Sequence, residues 1–183
     1  MKIKNVTPII CNGGWRPWIF IKIESSDGII GYSEITDSHG SIKGLISSIE
    51  ELGENITGDN CLNINSILQK LYSKTQQTPY GLLQKSIGGI ENALWDIKGK
   101  VLNKPVYEIL GGNLRDSLEI YWSHCGTTRV RASHHINKKK ISSFKDLEEF
   151  CVKELSESKI NLFKTNLLML DDNKNKIHMP GFN

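Results

Sequence analysis

The chain has 183 residues, 38% of them hydrophobic and 23% charged, with a formal net charge of +3. That length holds one ample domain, or one domain plus a piece of another, and the composition fits a globule rather than a disordered chain. So mild a charge leaves no electrostatic footprint for nucleic acid, and no apolar run approaches the ~18 residues that a membrane span needs.

The first third predicts strands. Ile3 to Cys11 is apolar and β-rich, and Asn12-Gly13-Gly14 breaks it. Trp18 to Glu24 sets apolar Trp18, Phe20 and Ile23 among polar Lys22 and Glu24, and Ser25-Ser26-Asp27-Gly28 is a turn signal. Ile29 to Glu34 returns as a third strand, so the three form an antiparallel meander. Helices follow. Ile42 to Leu52 puts Leu45, Ile46, Ile49 and Leu52 on one face behind Ser41 as N-cap, and Asn63 to Tyr72 repeats the pattern.

The stretch from Ser86 to Gly112 organises this first part. Ile87, Ile90, Leu94, Ile97 and Val101 recur at three- and four-residue steps, and Asn103 with Pro105 closes the helix near Leu102. Asp96 on this helix reads as structural rather than catalytic. Strands followed by packed helices make an α+β domain over 1–115. After it the pattern changes. Leu118 to Trp122 predicts a strand, Phe144 to Leu155 a helix capped by Ser143, and Ile160 to Asn166 a second strand. Strand, helix, strand is a βαβ unit, whose strands are parallel. Asp171 to Lys176 carries no strand or helix signal.

Ala93-Leu94-Trp95-Asp96, Gly99-Lys100, Pro105-Val106-Tyr107 and Leu110-Gly111-Gly112 together resemble the end of the capping domain of the enolase superfamily, on its mandelate racemase/muconate lactonizing branch. The resemblance implies a capping domain over 1–115 and, over 116–183, the start of a (β/α)₈ barrel whose active site lies at the carboxyl ends of its strands. A family chain is about twice this long, so the barrel is expected to be incomplete here. The resemblance also implies Mg²⁺, held by carboxylates on the third to fifth barrel strands, none of which is expected in this chain.

Lys164-Thr165-Asn166 is similar to the second-strand Lys-x-Lys that supplies a base in racemases of this branch. Asn166 cannot take a proton, and the Lys-x-Asn form resembles sugar-acid dehydratases of the galactonate dehydratase kind, where a histidine later in the chain is the base. There Lys164 is expected to neutralise the substrate carboxylate and Asn166 to hydrogen-bond the substrate. Arg16 and His39 fall in the two loops that close over substrate in the family, and His124 follows the first barrel strand. These three are the expected substrate contacts, whereas on sequence alone Arg16 and His39 are ordinary loop residues.

Other chemistries are poorer fits. Ser123, His124 and Cys125 are strand neighbours that face alternately, so they make no nucleophile–base pair. His124, His134 and His135 could suggest a metal site, but a loop pair plus a strand histidine more often means nothing, and Lys138-Lys139-Lys140 reads as a solvated loop. Cys11, Cys61, Cys125 and Cys151 are far apart and read as free thiols of a cytoplasmic protein. Met1-Lys2-Ile3-Lys4 has no apolar run behind its charges and is not a signal peptide. The expected function is thus the amino-terminal part of a Mg-dependent acid-sugar dehydratase, inactive alone, with a small carboxylate sugar acid as partner and self-association or a complementing barrel fragment. The alternatives are a non-catalytic capping module, or a racemase or cycloisomerase of the same superfamily.

Overall fold

The computed structural model describes residues 1–14, 16–35, 40–78, 80–124, 126–158, 160–171 and 176–178. It divides into two compact units, Met1–Leu114 and Arg115–Asn183.

The first unit opens with strands β1 (Ile3–Asn12), β2 (Pro17–Ser25) and β3 (Ile30–Glu34), an antiparallel sheet in the order β1-β2-β3. Ile19, Ile21 and Ile23 on central β2 are buried, and Trp18, Phe20, Lys22 and Glu24 take the half-buried opposite face. The core face is therefore one residue out of phase with Trp18 and Phe20, because the isoleucines fill the gap under the helices and the aromatics sit on the outer side.

Helices α1 (Ile42–Ile56), α2 (Ile64–Thr75) and α3 (Leu82–Leu102) supply the other layer. Ser41 caps α1 by accepting the Gly44 N–H at 3.1 Å. Helix α3 begins four residues before Ser86, at Leu82, and ends on Asn103, which takes the left-handed conformation (φ 49°). Ile87, Ile90, Leu94 and Ile97 are buried with Ile23, Ile49 and Ile67 in one core, and Val101 packs against its edge. Each such side chain contributes roughly 1.5–3 kcal/mol by leaving water.

The motif around Asp96 ties α3 to β3. Asp96 Oδ2 accepts the Tyr32 N–H at 2.8 Å, and Lys100 Nζ donates to the Ile30 carbonyl and to Asp96, both at 2.7 Å. These are backbone groups of the sheet's outer edge, which otherwise offers itself to another chain. Two side chains one helical turn apart thus close the edge, and the structural reading of Asp96 follows from its bonds. Asp96→Ala removes a charged acceptor from a backbone donor, and a loss of about 1–2 kcal/mol is expected. Urea unfolding reads it as a lower midpoint, and an unchanged midpoint means water serves Tyr32 equally well.

A four-residue helix α4 (Val106–Ile109) follows Pro105 and completes the first unit. It is too short for periodicity to reveal.

The second unit contains β4 (Tyr121–Ser123), helix α5 (Thr127–Arg131), a 3₁₀ turn (Ser133–Ile136), helix α6 (Phe144–Glu157), β5 (Leu162–Lys164), β6 (Met169–Asp171) and β7 (Lys176–His178). Strands β4 and β5 pair in parallel, Tyr121 opposite Leu162 and Ser123 opposite Lys164, so this is the βαβ start of a barrel. Ser143 and Asp146 form a capping box on α6, and the Ser142 backbone N–H, followed by the Ser143 side chain, holds the Asp146 carboxyl below its ordinary pKa. Val130, Ile141 and Phe150 form the buried cluster, joined by half-buried Trp122 and Phe163 from the two strands. The Trp122 and Phe150 rings meet edge to face at 5.6 Å.

Two expectations shift here. Strand β5 stops at Lys164, so Asn166 lies beyond its end. The segment around Asp171 to Lys176 is flanked by an antiparallel pair, β6 with β7, each three residues long. Strands that short give alternation nothing to work on.

Candidate functional site

The sheet register decides which side chains share a face. Trp122 and Phe163 pack towards Phe150 of α6, so their strand neighbours Tyr121, Ser123, Leu162 and Lys164 lie on the opposite, exposed face. Lys164 Nζ lies 5.7 Å from the centroid of the Tyr121 ring, a cation–π contact along that face.

At the carboxyl end of the pair, His124 directly follows β4, and Asn166 follows β5 after one intervening residue, Thr165. His124 Nδ1 and Asn166 Oδ1 are 2.5 Å apart. An amide oxygen only accepts, so with Asn166 Oδ1 facing the ring, Nδ1 donates in the tautomer that carries its proton there. The backbone there is also held. His124 has φ 59°, in the left-handed region that side chains other than Asn, Asp and His seldom enter. Its carbonyl accepts both the Thr127 N–H at 3.1 Å and the Thr127 Oγ1–H at 2.9 Å, and Thr127 is buried.

The structure therefore brings His124 and Asn166 into contact and sets Lys164 on the same strand end. Arg16 belongs to the first unit. Its carbonyl accepts the Gly13 N–H at 3.0 Å, closing the β1–β2 turn, and its guanidinium stacks on Trp18, 4.6 Å from the ring centroid. His39 lies outside the described residues. Sequence reasoning missed Tyr121 and Thr127. Tyr121 was reachable in principle, since it stands two residues before Ser123 on one face; the His124–Asn166 contact, 42 residues apart in sequence, left no signal.

Among the described residues, no three His, Cys, Asp or Glu side chains gather as a metal site. No described helix is long and apolar enough to cross a membrane.

Comparison with known proteins agrees with this architecture. The family described as mandelate racemase / muconate lactonizing enzyme, N-terminal domain, matches residues 12–111. D-galactonate dehydratase of Variovorax paradoxus (strain S110) is 39% identical over 104 residues, 57% of this chain and 27% of that protein. A candidate L-alanine-DL-glutamate epimerase of Burkholderia xenovorans strain LB400 superposes with a TM-score of 0.87 at 33% identity, over 98% of this chain and 44% of that one. The same Burkholderia protein has also been solved with magnesium and fumarate bound. An enolase-superfamily member from Salmonella Typhimurium gives a TM-score of 0.79 at 26% identity, covering 96% of this chain and 45% of its own. This chain thus spans less than half the length of the proteins it resembles. With the amino-terminal family domain matched over more than half of its residues, the chain belongs to the mandelate racemase / muconate lactonizing enzyme family of the enolase superfamily.

Proposed function

We propose that this chain is the amino-terminal part of an acid-sugar dehydratase, supplying the cap and the first two barrel strands of the active site. The observation that carries the reading is the end of β5, where Lys164 is followed two residues on by Asn166 rather than a second lysine. A cation there suits the substrate carboxylate. Removing the proton beside that carboxylate builds an enediolate with nearly two negative charges, and a preorganised ammonium opposes that build-up far better in a water-poor site than in water. The β-hydroxyl then leaves as water, and the enol becomes a 2-keto-3-deoxy acid. Arg16 and His39 are proposed as contacts from the cap that select the sugar acid. Mg²⁺ belongs to this reading only through residues outside the described set, and no step is assigned to it.

A racemase or epimerase is the second reading, favoured by the Burkholderia relative. Asn166 weighs against it, because inverting a carbon calls for a proton carrier on each face and an amide is none.

The test is a fusion of this chain ahead of the barrel portion of the Variovorax D-galactonate dehydratase that lies beyond the matched stretch. The fusion is expected to form a keto acid from an aldonic acid, and Lys164→Met to lower the rate at least about 100-fold. Exchange or inversion at the α-carbon without loss of water would establish the epimerase reading instead. A folded fusion with no turnover of any acid removes both.

A further inference from the structure

We infer that Tyr121 is the positioning residue for Lys164: the face of its ring keeps the ammonium at the carboxyl end of the strand pair, where the substrate carboxylate is to be met. The inference deepens the dehydratase reading and rests on it. The register puts the two side chains on one face. Ser123 stands directly opposite Lys164 and Leu162 opposite Tyr121, so Tyr121 and Lys164 are diagonal neighbours across parallel β4 and β5. Both are exposed, and Lys164 Nζ lies over the ring at 5.7 Å from its centroid, within the reach of a cation–π attraction. Among the described residues, the Tyr121 ring is the sole partner of this ammonium, and no carboxylate pairs with it.

The kind of partner that holds a lysine decides what the lysine can do. Its stem is flexible, so an ammonium on an exposed strand end samples many positions, and that freedom is lost when it meets a ligand. A carboxylate would restrain it through an ion pair, but would also cancel its charge and occupy the donors that a substrate carboxylate needs. The π face of Tyr121 attracts the ammonium through its quadrupole, carries no net charge and leaves the three N–H donors for a ligand. Lys164 is thus restrained with its charge uncancelled. Such preorganisation matters most late in the reaction. The substrate carboxylate carries one negative charge and the enediolate nearly two, so an ammonium fixed in place favours the transition state over the bound substrate. The ring does this and the phenol hydroxyl does not, so phenylalanine is expected to serve at this position and leucine to fail.

The experiment has two arms. In the 183-residue chain with ¹³C-labelled lysine, nuclear Overhauser contacts are expected between the Lys164 ε-methylene protons and the Tyr121 ring. The ring current is expected to move those protons upfield in the parent and in Tyr121→Phe, and not in Tyr121→Leu. A parent chain without these contacts overturns the inference, and that measurement needs no variant to fold. The second arm is a double-mutant cycle in the fusion with the Variovorax barrel, using an aldonate that the parent fusion turns over. Tyr121→Leu is expected to lower kcat/KM about 3- to 30-fold, chiefly through kcat, and Tyr121→Phe to keep most of the parent value. In a Lys164→Met background, Tyr121→Leu is expected to cost little, because the ring then has no ammonium to place. A ring that served packing alone would cost the same factor in both backgrounds. That result, or a Tyr121→Leu fusion as active as its parent, overturns the positioning role and leaves the dehydratase reading standing. A folded fusion with no turnover of any acid removes that reading, and the role of Tyr121 with it, whatever the ring contacts show.

Discussion

Gly31→Ala is expected to unfold the first unit. A Cβ at Gly31 would overlap the carbonyl oxygen of Ala93 and lie 2.7 Å from Ile97 Cγ1. The first of these is helix backbone, which cannot turn aside as a flexible side chain does. Relief would need β3 and α3 to separate, which opens the core around Ile23, Leu94 and Ile97 and pulls Asp96 and Lys100 off the sheet edge. Overpacking usually costs about 1–3 kcal/mol, but with backbone as the obstacle we expect about 4 kcal/mol or more, a large share of a domain's whole stability. Gly88→Ala is the matched control. A Cβ there meets nothing within 4 Å, and the residue lies inside α3, so a gain of about 0.5–1 kcal/mol is expected. Urea unfolding followed by far-UV circular dichroism separates the two. A Gly31→Ala chain with the parent midpoint would mean that α3 is not pressed onto β3.

That close approach also explains what was legible in the sequence. The period of Ile87, Ile90, Leu94 and Ile97 announces a buried helix face, because burial alone sets that spacing. Ala93, Asp96, Gly99 and Lys100 carry the family resemblance, and the structure gives each bonds or spacing that periodicity cannot express. Ala93 presents its carbonyl to Gly31, Asp96 and Lys100 serve the edge of β3, and a Cβ at Gly99 would come 2.9 Å from the Lys104 carbonyl. The phase of β2 was less legible, since Trp18 and Phe20 are as apolar as the isoleucines that displace them from the core. In the second unit the limit was length. Three-residue strands do not show alternation, and the partner of a three-residue strand is fixed by the whole crossover. Lys164 and Asn166 stood out only through resemblance. That Asn166 contacts His124 depends on the β4–β5 register, which places Ser123 opposite Lys164.

Amide hydrogen exchange is expected to split the chain, with Ile87 to Leu102 exchanging slowly and Tyr121–Ser123 and Leu162–Lys164 quickly in dilute solution. The first unit buries a continuous core from three strands and three helices, with Leu45, Ile49, Leu71, Ile90, Leu94 and Ile97 shut off from water. Opening α3 requires breaking that core, so its amides report an opening near the unit's global stability. The second unit has Val130, Ile141 and Phe150 as its buried cluster, while Ile120, Leu162 and Leu167 are 63%, 43% and 73% exposed. The paired backbone of β4 and β5 is three residues per strand, and a strand pair needs more strands or a covered second face for independent stability. Apolar side chains left in water on and beside these strands recruit other chains, so raising the protein concentration is expected to slow exchange at β4 and β5 while leaving α3 unchanged. Equal protection of both regions in a verified monomer would mean that the second unit is a finished fold. The barrel-start reading of residues 116–183 would then have to be given up, and with it the assignment of Lys164, Asn166 and His124 to a barrel active site.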